Sequence, residues 1–192
     1  MVSVGLAAGC TSPNPRLYTL APVPGTPEGG GPHVVLMHQV TVARYLERPE
    51  IVRSSDNYRL DVMANDTWSE PVGAMIGRVL AEDLAQRLPG TTFVNSASAV
   101  AAKEDASVRV NIQRMDMNAN QQLVLVAQAS VEFTEPQPRP AMRSLNTVVP
   151  LSATAPSYEV QGMSIAVGQL ADEIAEMLRQ PTRPAAPARH RR

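Results

Sequence analysis

VTVARYLERPEIVRSSDNYRLDVMANDTWSEPVGAMIGRVLAEDLAQRLPG, residues 40–90, is the stretch on which the fold turns. It holds strand-like runs and then one helix with a start and a stop. Val72, Met75, Ile76, Val79, Leu80, Leu84 and Leu88 recur at spacings of three and four, which makes a single apolar stripe. Arg78, Glu82 and Gln86 fall between them and are expected to face water. Ser69 is the expected N-cap, because its hydroxyl can accept a backbone N–H left free in the first turn. Pro71 fits that turn, and Pro89-Gly90 ends the helix. Gly73 and Gly77 lower helix propensity, so the stripe must draw its stability from packing, with a sheet of the flanking segments as the partner.

Outward from this block the chain alternates. Ile51, Val52 and Arg53 on one side and residues 58–62 on the other flank Ser55-Asp56-Asn57, which is hairpin chemistry. Residues 33–42 read as one strand, 16–20 as a short first strand and 92–95 as another. Residues 106–117 place Val108, Val110, Ile112 and Met115 against Arg109, Asn111, Gln113 and Arg114. After a turn at 118–121, residues 122–133 complete an antiparallel hairpin, and 143–151 form the next strand. PQPRP within 135–140 is a loop or an edge bulge. A second helix spans about 157–180, with Met163, Val167, Leu170, Ala171, Ile174, Met177 and Leu178 as its stripe; Asp172, Glu173 and Glu176 read as its wet side. Strands, helix, strands, helix predict an α/β single-domain sandwich with a mixed or largely antiparallel sheet packed with two helices.

At 192 residues the chain has the size of one domain. Such a chain buries about 70% of its unfolded surface and needs no staples. A hydrophobic fraction of 44% with 18% charged residues fits a globular body, and the net charge of -1 gives no electrostatic footprint for nucleic acid. With Cys10 the only cysteine, an intramolecular disulfide is ruled out. No apolar run reaches the length of about 20 residues that a spanning helix requires.

Residues 1–9, MVSVGLAAG, read as the remnant of a signal peptide ending in small residues before Cys10. Ala7 stands where a lipobox prefers Leu, and no Lys or Arg precedes the apolar stretch. From these residues alone Cys10 is either an acylated anchor or an ordinary thiol. Residues 10–32 form the N-terminal segment, with the short first strand and a Pro/Gly-rich spacer. The domain proper is placed at 33–180, and 181–192, PTRPAAPARHRR, as a disordered tail.

Several weak motifs in order carry a resemblance. They are Leu6-Ala7-Ala8-Gly9-Cys10, Arg16-Leu17-Tyr18-Thr19-Leu20, Tyr45-Leu46, Ile51-Val52, the turn at Ser55-Asp56-Asn57, Trp68-Ser69-Glu70-Pro71 and the helix ending Leu88-Pro89-Gly90. Together they resemble the PqiC/YmbA family, auxiliary lipoproteins of ABC-type or mammalian-cell-entry (MCE) transport systems. The resemblance spans roughly residues 10–180. It implies that Cys10 is acylated, since two or more chains give stable anchoring where one is marginal. Thr11, in place of an Asp that would favour inner-membrane retention, implies the periplasmic face of the outer membrane. It also implies an MCE-domain partner and a homo-oligomer such as a ring.

No chemistry emerges from the side chains. His33, His38 and His190 lie near no Cys or carboxylate at ligand spacing, so no metal is expected. Gly162-Met163-Ser164-Ile165-Ala166 breaks the nucleophile elbow at its last glycine, and Gly29-Gly30-Gly31 lacks the Lys and helix of a phosphate loop. No catalytic residue and no cofactor is expected. Tyr45 and Trp68 are the candidate partner contacts, although Trp68 reads equally as a hydrophobic staple. Two functions follow: a non-catalytic tether between a periplasm-spanning transporter and the outer membrane, or a carrier with an internal apolar pocket. A filled core favours the first and an open cavity the second.

Overall fold

The computed structural model describes residues 14–56, 58–95, 103–134 and 139–179. Cys10 and the tail lie outside them. The elements are β1 Arg16–Tyr18, β2 Val34–Met37, β3 Thr41–Val42, a 3-10 turn at Arg44–Leu46, β4 Glu50–Asp56, β5 Arg59–Trp68, α1 Val72–Arg87, β6 Thr92–Asn95, β7 Ala106–Met117, β8 Gln122–Phe133, β9 Arg139–Pro150 and α2 Pro156–Arg179.

The fold is α/β, with a mixed strand arrangement divided between two sheets. The larger runs β6-β2-β7-β8-β9, with β3 continuing beside β7; the smaller runs β1-β5-β4. Pairing is parallel at β2/β6, β2/β7, β3/β7 and β1/β5, and antiparallel in the three hairpin pairs. The helices pack on each other; α2 lies over β7, β8 and β9, and α1 meets β3 and β6. Every residue of the expected α1 stripe is buried, and so is every residue of the α2 stripe. This burial is what compensates two glycines in α1, each about 1 kcal/mol worse than alanine in a helix.

Three expectations change in detail. The strand expected at 143–151 is β9, which starts earlier, so Arg139 and Pro140 of the expected loop lie within it. The strand at 33–42 is broken into β2 and β3, because Val40 leaves the ladder to pack on α1 and is only 3% exposed. The helix begins at Val72 with Pro71 as N-cap and no side-chain cap bond. Ser69 instead donates its backbone N–H to the Tyr18 carbonyl at 2.9 Å, and Trp68 donates its own to Pro49 at 2.7 Å. Residues 69–71 therefore bridge strand to helix, and Ser69 sits too early to cap.

Two buried polar networks join distant segments. Arg87, 3% exposed, reaches Asp172, the Val23 carbonyl at 3.2 Å and the Gly168 carbonyl at 3.0 Å. Asp83 accepts the Val23 N–H at 2.7 Å, and Glu28 donates its N–H to the Arg87 carbonyl at 2.7 Å. The spacer after Leu20 is thereby strapped across both helices. Gly25 is required there: a Cβ would lie 2.4 Å from the Arg87 guanidinium carbon. In the second network Arg53 donates to Glu159 at 2.6 Å and to the Thr154 carbonyl at 2.7 Å, while Met117 N–H reaches Glu159 at 3.3 Å. This clamps the β4–β5 hairpin to the start of α2.

Candidate functional site

The outward flank of α1 carries small residues: Gly73, Ala74, Gly77 and Ala81. The chain between β2 and β3 runs along it. Gly73 permits the approach, since a Cβ there would lie 2.7 Å from the Val40 carbonyl oxygen. At Gly77 the nearest atom to such a Cβ would be Val40 Cγ2, at 3.5 Å, an ordinary contact. The result is an open groove with a largely apolar floor. One half, about 520 Å³, lies between Trp68–Val72 and Glu47, Arg48 and Pro49. The other, about 560 Å³, lies between Gly77, Ala81 and the edge formed by Met37, His38, Phe93 and Asn95. Gln39, Val40, Gly73 and Ala74 belong to both halves, so the groove is continuous.

Both arginines on its rim are paired with acids. Arg78 bridges Glu70 at 2.8 Å and Glu82 at 3.2 Å, and the hydrogen bond to Glu70 holds its pKa above the usual range. Arg48 pairs with Glu50 at 3.0 Å and holds that carboxyl below its ordinary value. His38 is pushed down, first by burial and then by Arg109. Among the described residues no cluster of three or more His, Cys, Asp or Glu side chains is arranged to hold a metal. The arrangement can bind an apolar segment by shape.

Of the two candidate contacts, Trp68 lines this groove and Tyr45 does not. Trp68 is 9% exposed and belongs to the core, with its margin lining the groove mouth. Tyr45 packs against the core and donates its hydroxyl to Asp116 at 2.6 Å. Burial and that bond push the phenol far above its ordinary pKa. Asp116 is 1% exposed and is also held by Arg114 at 2.9 Å. Cys10 lies outside the described residues. Sequence reasoning missed Asp83, Arg87, Asp116 and Glu159 as buried groups. Asp83 and Arg87 sit four apart on the stripe side of α1, and that spacing is a readable signal; Glu159 has none, because an acid in a helix's first turn is unremarkable.

The described helices include none long and apolar enough to cross a membrane. The interior carries fully buried aliphatic side chains from both helices and both sheets.

Comparison with known proteins places the chain. The family model of the ABC-type transport auxiliary lipoprotein component matches residues 18–175. A crystal structure of an uncharacterized protein superposes with a TM-score of 0.72 at 14% identity, covering 86% of this chain and 99% of that one. Protein XCC0632 from Xanthomonas campestris, of family DUF330, gives 0.65 at 16% identity, covering 85% and 94%. At these identities the two structures speak to the fold alone. A search of the curated proteins returned no match.

Proposed function

This chain belongs to the ABC-type transport auxiliary lipoprotein components, and from that membership we propose that it is a non-catalytic tether. Acylated Cys10 anchors it to the periplasmic face of the outer membrane. The domain then holds an MCE-domain partner that spans the periplasm, as part of a self-associated assembly, and so supports membrane integrity. The observation that carries the reading is the α1 groove: an open, largely apolar surface whose rim arginines, Arg48 and Arg78, are already paired with acids. A carrier would need its apolar volume inside, whereas the two clefts of this groove open to the surface.

The groove is the surface on which the partner sits. A photo-crosslinking amino acid placed at Ala74 or Ala81 in cells should give an adduct with an MCE-domain protein. The same probe at Gln128, on the exposed face of β8, should give none. Adducts from Gln128 alone, or from no position, would count against the groove.

A further inference from the structure

In the smaller sheet β1 pairs with β5 only at its C-terminal end, from Arg16↔Asp66 to Tyr18↔Trp68. That pairing is parallel, so the chain enters β1 from the side on which the β4–β5 hairpin turns. Six residue steps lead from Cys10 to Arg16, and eight from Tyr58 to Asp66. At about 3.3 Å per step these lengths reach at most roughly 20 Å and 26 Å. The hairpin turn therefore lies as far from β1 as Cys10 can. A bilayer that holds Cys10 meets this turn whenever β5 stands upright on it.

The residues at the turn suit that meeting. Ile51 and Arg53 of β4 face inward, where Ile51 joins the core and Arg53 donates to Glu159. Met63 and Asp61 are their partners on β5. Strand alternation puts Leu60 and Val62 on the opposite face, and both are exposed. Tyr58, beside the turn, is 99% exposed. Tyrosine is enriched at membrane–water boundaries because its ring sits among headgroups, and aliphatic neighbours gain by entering the acyl boundary. The nearby cations are already held. Arg59 pairs with Asp61 at 2.9 Å, Arg53 with Glu159 at 2.6 Å and Arg16 with Asp66 at 2.8 Å. The turn therefore offers apolar contact rather than attraction to anionic lipid.

We propose that Tyr58, Leu60 and Val62 seat the β4–β5 turn in the interfacial zone of a zwitterionic phospholipid bilayer, the one that holds Cys10. This rests on the reading of Cys10 as the acylated anchor. Acyl chains fix a point, and a second contact fixes a direction. Trp68, Ser69 and Pro49, at the groove mouth, lie at the other end of the hairpin. The ten residues of β5 separate the two ends by on the order of 30 Å. Seating the turn thus holds the groove off the bilayer and open to the periplasm.

Trp68 is the only tryptophan and Cys10 the only cysteine, so each end of the hairpin can be read separately. The full chain is coupled through Cys10 to a maleimide-headgroup lipid in phosphatidylcholine vesicles with brominated acyl chains. Tyr58→Trp places a reporter at the turn. Its emission should move to shorter wavelength and be quenched, whereas the wild type, which reports Trp68 alone, should not be quenched. Adding Leu60→Asp or Val62→Asp, both at exposed positions, should reduce the quenching while circular dichroism stays unchanged. An unquenched reporter at residue 58 overturns the proposal. So does equal quenching of the wild type, quenching that requires added phosphatidylglycerol, or quenching that neither aspartate reduces. The coupling imposes the anchor, so failure of the turn is read apart from failure of the anchor reading. The latter would show as an unacylated Cys10 in protein extracted from cell membranes.

Discussion

Helix α1 has two faces built to opposite rules. One presents Met75, Ile76, Val79, Leu80 and Leu84, all without exposure, to the sheet and to α2. The other presents Gly73, Ala74, Gly77 and Ala81 to the groove. The large side chains gain by removing area from water, at about 25 cal/mol per Å². The small ones gain nothing of the kind, and the two glycines among them cost propensity. The difference teaches that the second face is shaped for access. The open face comes at the expense of the helix's own stability, since its two glycines disfavour the helix.

The sharpest way to break the comparison is to put a charge on the packed face. Val79→Asp or Leu80→Asp leaves a carboxylate buried without a partner, at a cost of several kcal/mol. Neither variant should show a cooperative melt by circular dichroism.

The two glycines of the open face should respond with opposite sign. Gly77→Ala has room against Val40 and gains helix propensity, so it should stabilise by about 0.5–1 kcal/mol. Gly73→Ala drives a Cβ against the Val40 carbonyl, a backbone atom that cannot rotate away, and should destabilise by about 1–2 kcal/mol. Urea unfolding of both variants checks the pair; equal shifts would erase the distinction drawn between the two positions.

Asp83 probes the polar end of the packed face. Burial raises its pKa, ahead of the opposing bond from Val23 and the charge of Arg87. A carboxyl whose folded pKa is raised takes up a proton more readily in the native state. Stability from this group therefore increases as pH falls from above its folded pKa toward its unfolded value of about 3.9. Relative to Asp83→Asn, which does not titrate, the wild type should gain stability on acidification across that window. Denaturant midpoints of the two proteins as a function of pH measure the difference.

The smallest effect belongs to the rim. Glu82→Ala removes an exposed i,i+4 partner of Arg78, which keeps Glu70, and should change stability by no more than about 0.5 kcal/mol.

Much of this helix was legible beforehand. The 3.6-residue period carries the stripe without ambiguity, and Arg78, Glu82 and Gln86 fall on its wet side as expected. The groove was not legible, because it depends on Val40 meeting Gly73 and Gly77, contacts between segments more than thirty residues apart. The buried acids escaped for the same reason. Asp83 is defined by the strap at Val23, Asp116 by Tyr45, and Glu159 of α2 by Arg53 of β4. The single strand expected over residues 33–42 failed at Val40 because α1 competes with the ladder for that side chain. Periodicity reports which face of an element is dry; it says nothing about which distant residue makes it so.

The central claim is that the domain acts by being held in place while it holds a partner. The direct test replaces Cys10 by Ala, with export secured by an ordinary signal peptide, in cells lacking the native protein. The measurement is envelope integrity, scored with capture of the MCE-domain partner on the same samples. The account predicts a folded chain that still captures the partner and leaves the envelope defect uncorrected, because nothing holds the pair at the outer membrane. Full correction by the unanchored chain at native abundance would contradict it.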